Sequence, residues 1–296
     1  MRLIHITDPH LTPLDAVPAH RRLGKRMLGY LSWQRRRRWL HRPQRLAETL
    51  AAVEADSPDL ILLGGDLCQI GLPEEIAAAT DWLRRLNGIA PVLLVPGNHD
   101  IYRADSCSAL LNAWRPWLHL PADVDVGDMQ AGYPVAMRFP GLTVIGLDSA
   151  VPTAIGSARG RLGRGQIERL DNCLAEARAR GDAVCVLLHH PPLPGQTGWR
   201  KALADADALA VTLRASEADV VLHGHLHHNV FRRDGGMRVF GTASASGHTP
   251  AEPAAYRIID IQPAEPGRHA FEVTLKSHGD GGFVVAGREQ WLTDTR

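Results

Sequence analysis

Five short clusters of aspartate, histidine and asparagine recur along the chain, and each follows an apolar run. The clusters are Asp8-Pro9-His10, Gly65-Asp66, Gly97-Asn98-His99-Asp100, His189-His190-Pro191 and Gly224-His225-Leu226-His227. Their carboxylate, imidazole and amide groups are donors that hard and borderline divalent metals accept, and the clusters contain no thiolate. The residue types therefore predict a pocket that holds a pair of divalent metal ions.

The apolar runs explain how residues so far apart in sequence come together. Residues 60–63, 92–95 and 184–188 are short, continuous apolar segments of the kind that forms buried strands. Strand ends in an α/β fold converge at one edge of the sheet, where ligands bind. We therefore expect an α/β fold in which residues 1–296 form a single domain, because the clusters extend across most of the length.

Amphipathic helical patterns alternate with these strands. Helices are predicted over residues 44–55, 73–88, 106–118, 166–180 and 203–213. An antiparallel hairpin is predicted from residues 134–139 and 143–147, and further strands over 230–232, 237–240, 256–261 and 271–275. The strand-rich C-terminal part indicates mixed rather than purely parallel sheets.

Taken together, the motifs D-x-H, G-D, G-N-H-D, H-x-P and G-H-x-H resemble those of the calcineurin-like metallophosphoesterase superfamily. They occur in the family's order between residues 8 and 227. The resemblance implies a four-layer αββα sandwich with two mixed sheets and a dinuclear metal site at the strand ends. In G-N-H-D and H-H-P-P the chain also resembles bacterial cyclic-nucleotide and glycerophosphodiester phosphodiesterases.

The same resemblance implies a division of the metal ligands. One metal would be bound by Asp8, His10 and His227, the other by Asn98, His189 and His225, and Asp66 would bridge the two. A hydroxide between the two ions would attack phosphorus in line with the leaving oxygen. Manganese, iron or zinc is expected, and cobalt and nickel also accept this donor set.

His99 and Asp100 are the predicted catalytic residues. In the family, the histidine after the asparagine ligand contacts the phosphate or protonates the leaving group, and the following aspartate orients it. The alternative for Asp100 is a simple loop cap. His190 occupies the variable position of H-x-P, so a place behind the ligands is expected for it, as it is for His5 within the first strand.

A basic segment separates the first two motifs. Between Asp15 and Glu48 there are ten basic residues and no acidic one, which leaves 23 basic against 32 acidic residues elsewhere. A basic segment on an acidic body indicates an anionic partner. We interpret residues 20–45 as a basic amphipathic insertion, and Arg35, Arg36, Arg37 and Arg38 as contacts to substrate or to an anionic membrane surface. A solvated charged helix is the alternative, and nucleic acid is the least favoured partner, because the aromatics are few.

The sequence therefore predicts a dinuclear-metal phosphodiesterase or pyrophosphohydrolase, whose substrate is lipid-linked if the insertion covers it. UDP-2,3-diacylglucosamine hydrolases are similar in having an insertion that covers acyl chains. The alternatives are a 3′,5′-cyclic nucleotide phosphodiesterase and a non-catalytic scaffold of the same fold. With no signal-peptide pattern and no long apolar run, a cytoplasmic location is expected, with peripheral contact to the inner membrane surface. The oligomeric state stays open.

Overall fold

The structure is a computed structural model that describes residues 1–11, 13–15, 17–265 and 267–293. The strands are β1 (Arg2–Ile6), β2 (Leu60–Leu63), β3 (Val92–Leu94), β4 (Val135–Phe139), β5 (Leu142–Gly146), β6 (Ala183–Leu187), β7 (Val220–His223), β8 (Val230–Asp234), β9 (Met237–Gly241), β10 (His248–Thr249), β11 (Glu252–Pro253), β12 (Ala255–Glu265), β13 (Arg268–Gly279) and β14 (Gly282–Leu292). The α-helices are α1 (Lys25–Ser32), α2 (Arg38–Leu40), α3 (Pro43–Ala55), α4 (Pro73–Ile89), α5 (Ala104–Leu118), α6 (Arg164–Ala179) and α7 (Ala206–Ala215).

The strands form two large mixed sheets. The first has the order β14-β13-β12-β1-β2-β3, in which β1, β2 and β3 are parallel and β12 runs antiparallel to β1. The second has the order β4-β5-β6-β7-β9-β8, with β5, β6, β7 and β9 parallel. A parallel strand covered on both faces is apolar along its whole length, which is why these runs lack alternation in the sequence.

Alternate residues of the second sheet show how the layers stack. Cys185 and Leu187 of β6 belong to the same buried cluster as the strands of the first sheet. Val184 and Val186 belong instead to a cluster with Leu170 of α6 and residues of α7. The two sheets therefore pack face to face, with helices on the outside, and the predicted αββα sandwich is confirmed.

Most predicted elements are present, with ends shifted by a few residues. The sequence did not predict β14, and it predicted only the middle of β12 and β13, because their outer parts are exposed and mix polar with apolar residues. Antiparallel pairing with one solvated face explains that pattern. Within the residues that the structure describes, no helix is long and apolar enough to span a membrane.

The basic insertion folds differently from the expected amphipathic helix. α1 continues into a π-helical segment, Trp33–Arg37, and then into α2. Arg26 is buried and donates to Asp105 at 2.8 and 3.0 Å and to the carbonyl of Gly71 at 2.9 Å. A buried cation requires carboxylate and carbonyl acceptors of this kind. Leu23 and Leu28 are exposed.

Candidate metal centre

The seven predicted metal ligands come together at one end of the strands. They lie after β1, β2, β3, β6 and β7, on the loops where both sheets end. One group of potential donors is Asp8, His10, Asp66 and His227, and another is Asp66, His189 and His225, with the donor atoms of each group within 4.8 Å of one another. Oδ1 of Asn98 lies 3.2 Å from Nε2 of His189, which adds an amide oxygen to the second group.

The first group presents lone pairs toward a common point. Nε2 of His10 and Nε2 of His227 are 3.2 Å apart, and Nε2 of His227 is 3.2 Å from Oδ1 of Asp8. Nδ1 of His10 is 3.0 Å from the carbonyl of Cys68, so Nδ1 carries the proton and Nε2 the lone pair. Among the described residues Oδ1 of Asp8 is buried without a hydrogen-bond partner, while its Oδ2 accepts from the hydroxyl of Thr7.

The second group also turns ring nitrogens toward a common point. Nδ1 of His189 lies 2.7 Å from the carbonyl of Gly64, which turns Nε2 toward the site. Nδ1 of His225 lies 3.2 Å from Nε2 of His189. Ring nitrogens and a carboxylate oxygen brought this close can share a bound cation. The residues present therefore fit divalent metal ions.

Asp66 is shared by both groups. Its Oδ2 lies 3.4 Å from Nε2 of His189 and 4.0 Å from Nε2 of His10. Its Oδ1 accepts from the backbone N–H of His99 at 2.6 Å. One carboxylate oxygen thus faces both histidines, as a bridge between two cations requires.

Strained backbone carries most of these ligands. The φ angles of Asp8, His10, Asp66, His225 and His227 lie between 44° and 70°, the left-handed region that non-glycine residues rarely adopt. Backbone hydrogen bonds hold the first two ligand loops together, from the N–H of Asp8 to the carbonyl of Gly65 and from that of His10 to Asp66. Strain of this kind persists only where the surrounding structure enforces it, and it concentrates at functional sites.

Two glycines allow the loops to approach so closely. A Cβ atom at Gly97 would collide with the carboxylate and backbone nitrogen of Asp66, and one at Gly224 would collide with Thr7 and Asp8. The glycines in the G-N-H-D and G-H-x-H motifs are therefore required by the packing of the ligand loops.

The electrostatics of most of the buried ligands favour their metal-binding forms. Burial lowers the pKa of His10 and of His225 well below the usual value, so both imidazoles are neutral. Burial alone would raise the pKa of Asp66, but His189 and His99 beside it hold that pKa well below its ordinary value. A neutral imidazole and an ionised carboxylate are the species that coordinate metals.

His189 is the exception among these ligands. Burial opposes its charged form, but the carboxylates of Asp66 and Asp8 raise its pKa to about 9. A bound cation would therefore have to displace a proton there.

The structure corrects the predicted role of Asp100. Its carboxylate accepts from the backbone N–H groups of Asp66, Cys68 and Gly97 at 2.8–2.9 Å, and it is fully buried. Burial and the neighbouring Asp66 raise its pKa to about 7. Asp100 therefore fixes the loop that carries Asp66, which is the loop-cap alternative, and is not the residue that orients the His99 ring.

His99 is oriented by other groups. Its Nδ1 lies 2.5 Å from the carbonyl of Gln69, so Nδ1 carries the proton. Nη1 of Arg37 lies 2.9 Å from Nδ1 and 3.2 Å from Nε2 of the same ring. Since Nδ1 is the donor to Gln69, Nε2 accepts from the Arg37 guanidinium.

The four arginines of residues 35–38 thus lie in different environments. Arg35 and Arg36 are exposed, Arg38 lies 3.5 Å from the carboxylate of Asp15, and Arg37 is turned into the site beside His99. Of the two predicted contacts, Arg37 is therefore placed for the substrate rather than for a membrane surface, because its side chain points inward. Burial lowers the pKa of Arg37, and the guanidinium nevertheless stays charged at neutral pH.

His41, also from the insertion, is a second residue at the site that the motifs did not indicate. Its ring centroid lies 4.6 Å from that of His10 and 5.3 Å from that of His227. Its placement depends on an antiparallel bridge to Gly247, more than two hundred residues away. The position of the insertion between the first two motifs is the only sequence signal that places it near the metals.

A cavity of about 160 Å³ opens beside His10 and His41. Its walls include the aromatic rings of Trp33 and Trp39 and the guanidinium groups of Arg38 and Arg42. The insertion therefore provides an amphipathic, positively charged wall next to the donor groups.

The remaining predicted histidines lie where expected. His190 is buried behind His189, 2.8 Å from the hydroxyl of Ser149. His5 is buried in β1, 2.9 Å from the hydroxyl of Thr242. Both support the loops and strands beneath the site.

Comparison with known proteins identifies relatives of the chain. The sequence profile of the calcineurin-like phosphoesterase family matches residues 1–229. The chain is 28% identical over 225 residues to a probable cyclic nucleotide phosphodiesterase of Synechococcus, covering 74% of this chain and 78% of that protein. It is also 28% identical over 260 residues to a cAMP/cGMP dual specificity phosphodiesterase of Mycobacterium tuberculosis, covering 83% and 68%. Among solved structures, a dimetal phosphatase from Danio rerio matches with a TM-score of 0.61 at 15% identity, covering 96% and 98%.

Proposed function

The chain belongs to the calcineurin-like phosphoesterase family of metal-dependent hydrolases, and from this premise we propose that it hydrolyses phosphodiesters with two divalent metal ions. The observation that carries the proposal is the Asp66 carboxylate, whose Oδ2 faces donor atoms of both groups. A shared carboxylate keeps two cations about 3.5–4 Å apart, the spacing of two-metal phosphoryl chemistry.

We assign the metals as the family resemblance implies. Asp8, His10 and His227 would hold one ion, Asn98, His189 and His225 would hold the other, and Asp66 would belong to both, a division that the two groups of donors support. When bound, the two ions supply Lewis acidity that activates water at neutral pH and offsets charge on the phosphoryl group. The oxygen and nitrogen donors accept manganese, iron, zinc, cobalt or nickel.

Arg37 and His99 act on the substrate beside the metals. A guanidinium presents several N–H donors in a rigid fork that matches phosphoryl oxygens. Arg37 reaches the site from the insertion, and its hydrogen bonds to His99 and to the carbonyls of Gly29 and Gln69 fix the direction of that fork. We assign Arg37 to a phosphoryl oxygen of the substrate and His99 to the positioning of Arg37.

The organic part of the substrate lies in the cavity lined by the insertion. Its aromatic walls accept an apolar or planar group, and Arg38 and Arg42 accept negative charge. Cyclic nucleotides suit both properties, and two relatives are named for activity on cyclic nucleotides. Cyclic nucleotides are therefore the first substrate class to examine.

A lipid-linked phosphodiester or pyrophosphate is the second candidate, and the exposed apolar residues of the insertion favour it. Leu23, Leu28 and Trp39 expose 67%, 48% and 54% of their surface, and Arg35 and Arg36 of the same insertion are exposed as well. Apolar and basic side chains on one segment are typical of an interfacial contact with anionic lipid. Such a contact would bring this segment, and the cavity behind it, to a membrane surface.

The test is turnover by metal-free protein reloaded with Mn²⁺, Fe²⁺ or Zn²⁺. Hydrolysis of bis-p-nitrophenyl phosphate that depends on added metal is expected, followed by preference among cyclic nucleotides, glycerophosphodiesters, nucleotide-sugar pyrophosphates and phosphomonoesters. Turnover of monoesters alone would contradict the phosphodiesterase proposal. A folded, metal-loaded protein without turnover on any of these substrates would instead indicate a non-catalytic scaffold.

A further inference from the structure

His41 is a buried imidazole in the insertion, outside every motif of the family. The backbone of this region is fixed by hydrogen bonds from the N–H of His41 to the carbonyl of Arg37 at 3.1 Å and from the N–H of Arg42 to that of Ser246 at 3.1 Å. His41 is only 7% exposed. These two backbone hydrogen bonds therefore hold the side chain of His41 against the metal centre.

A chain of hydroxyl groups fixes which ring nitrogen of His41 carries the proton. The hydroxyl of Ser244 donates to the carbonyl of Asp8 at 2.6 Å, and a carbonyl can only accept. The hydroxyl of Ser246 lies 3.2 Å from that of Ser244, and Nδ1 of His41 lies 2.9 Å from that of Ser246. Nδ1 of His41 also lies 3.3 Å from the Ser244 hydroxyl, whose proton is already donated to Asp8, so this contact requires a proton on Nδ1 of His41.

The proton on Nδ1 leaves Nε2 of His41 with a lone pair. Nε2 is buried and has no hydrogen-bond partner among the described residues. His41 forms a group with His10 and His227 in which one ring nitrogen of each lies within 4.8 Å of the others. Since Nδ1 of His41 is engaged with the serine hydroxyls, Nε2 is the nitrogen left for this group. A buried acceptor left without a donor is costly, so its presence calls for a ligand.

His10 and His227 also belong to the group that contains Asp8 and Asp66. These two histidines are thus common to the group that contains His41 and the group that contains the two carboxylates. Four protein ligands leave two positions open on an octahedral ion, so one further nitrogen still leaves a position for water or substrate. Histidines that ligate metals through Nε2 ordinarily donate Nδ1–H to an oxygen, as His41 does to Ser246.

We propose that His41 is a further ligand, through Nε2, of the metal ion held by Asp8, His10 and His227. The inference rests on the proposed two-metal centre and extends it to the insertion. Metal binding by His41 would then connect residues 19–42 to the loops that carry the other ligands. The wall that carries Arg37 would become ordered when the metal binds.

The first test is the affinity of the metal-free protein for Mn²⁺ and Co²⁺. His41→Ala should raise the dissociation constant of one of the two ions by at least about 10-fold, since loss even of a group behind a ligand costs 10- to 100-fold. His20→Ala is the matched control, because His20 is an exposed histidine of the same insertion and should bind both ions like the wild type. Equal dissociation constants in the two variants would overturn the proposal.

The second test follows the insertion itself. Added Mn²⁺ should slow proteolysis within residues 19–42 of the wild type and of His20→Ala, and should slow it less in His41→Ala. A substrate contact by His41 would raise KM without changing metal affinity or protection, and that result would also overturn the proposal.

Because an alanine at a buried site can disturb folding, the third test uses the wild type. The Co²⁺-loaded protein should show five hyperfine-shifted, exchangeable imidazole N–H resonances, one each from His10, His41, His189, His225 and His227. Four resonances would remove His41 from the ligands.

Asp66→Ala distinguishes a failure of the proposed two-metal centre from a failure of the His41 assignment. If it keeps both ions, the shared-carboxylate assignment on which the proposed function rests is wrong; if it loses them while His41→Ala binds normally, only the role of His41 is wrong.

Discussion

The guanidinium of Arg37 and the ring of His99 are in direct contact, with Nη1 of Arg37 2.9 Å from Nδ1 and 3.2 Å from Nε2 of the histidine. One residue comes from the insertion and the other from the G-N-H-D loop. The contact joins the basic insertion to the most recognisable motif of the site, and it brings one arginine of the insertion beside the predicted catalytic histidine.

Replacement of Arg37 tests this contact. Arg37→Met should lower kcat on a phosphodiester by about 10²–10³-fold, the usual loss when one donor to a transition-state oxygen is removed. Bound metal should be unchanged, because Arg37 is not a donor to either ion. Arg37→Lys should recover only part of the rate, since an ammonium lacks the planar fork.

Arg35→Met is the matched control for Arg37. Arg35 belongs to the same π-helical segment and is exposed. Its kinetics on small soluble diesters should equal those of the wild type. Equal losses in the Arg35 and Arg37 variants would show that the segment acts through its total charge, and the assignment of Arg37 to the substrate would be wrong.

Leaving-group dependence distinguishes the two roles that the family resemblance allows for His99. With Nδ1–H donated to Gln69 and Nε2 accepting from Arg37, the ring has no proton to give to a leaving group. His99→Ala should therefore lower turnover by about 10²-fold or more with little dependence on the leaving group. The comparison is between p-nitrophenyl and methyl esters of the same phosphate, at equal metal content.

A general acid would behave differently. Protonation matters most for a poor leaving group, so a loss much larger for the methyl ester than for the p-nitrophenyl ester would assign proton transfer to His99. That outcome would require the ring to leave Arg37 when substrate binds.

The positions of the candidate metal ligands could be predicted from sequence because each follows directly on a strand end. Local order along the chain suffices to place Asp66 or His225 at the edge of a sheet. His41 could not be placed in this way, since its position depends on a pairing between the insertion and Gly247. The sequence left two roles open for Asp100, because the three backbone donors that make it a loop cap come from two separate loops.

Removal of the shared carboxylate tests the centre as a whole. Asp66→Ala should lower the metal content below one ion per chain after desalting and should reduce turnover by several orders of magnitude. The fold should survive, because the variant changes a loop and leaves the strands intact. Asp123→Ala, an exposed carboxylate, is the control and should retain metal and activity. Two tightly bound ions in Asp66→Ala would contradict the bridging assignment.

A buried carboxyl group outside the ligand set predicts a pH-dependent stability. Asp148 is fully buried, its Oδ1 accepts from the N–H of Ala150 at 2.8 Å, and burial raises its pKa to about 8. In the unfolded chain its pKa is about 3.9. Between these values the native state holds a proton that the unfolded state releases, so the free energy of unfolding decreases as pH rises from about 4 to about 8.

Asp148→Asn removes this titration while keeping the shape of the side chain. Denaturant unfolding of the metal-free proteins should show a smaller decrease in stability between pH 5 and pH 8 for the variant than for the wild type. The limiting slope of the difference is about 1.4 kcal/mol per pH unit. Asp123→Asn should follow the wild type. Parallel curves for wild type and Asp148→Asn would mean that Asp148 is already ionised across this range.

Binding to anionic lipid is the last property that the insertion predicts, and the structure determines which residues can test it. Changing all four arginines of residues 35–38 would also remove Arg37 from the site, so only the exposed pair is changed, in Arg35→Ser/Arg36→Ser. Each surface arginine contributes about 1 kcal/mol to attraction by an anionic leaflet. The double variant should therefore sediment less with vesicles of phosphatidylcholine and phosphatidylglycerol. Leu28→Ser should weaken the same binding, because Leu28 is an exposed apolar residue of the same insertion.

Hydrolysis of small soluble diesters should be unchanged in both variants. If the wild type itself does not sediment with these vesicles and KM for a lipid-linked substrate does not rise in either variant, the exposed face of the insertion is a solvated surface and its function is limited to the placement of Arg37 and His41.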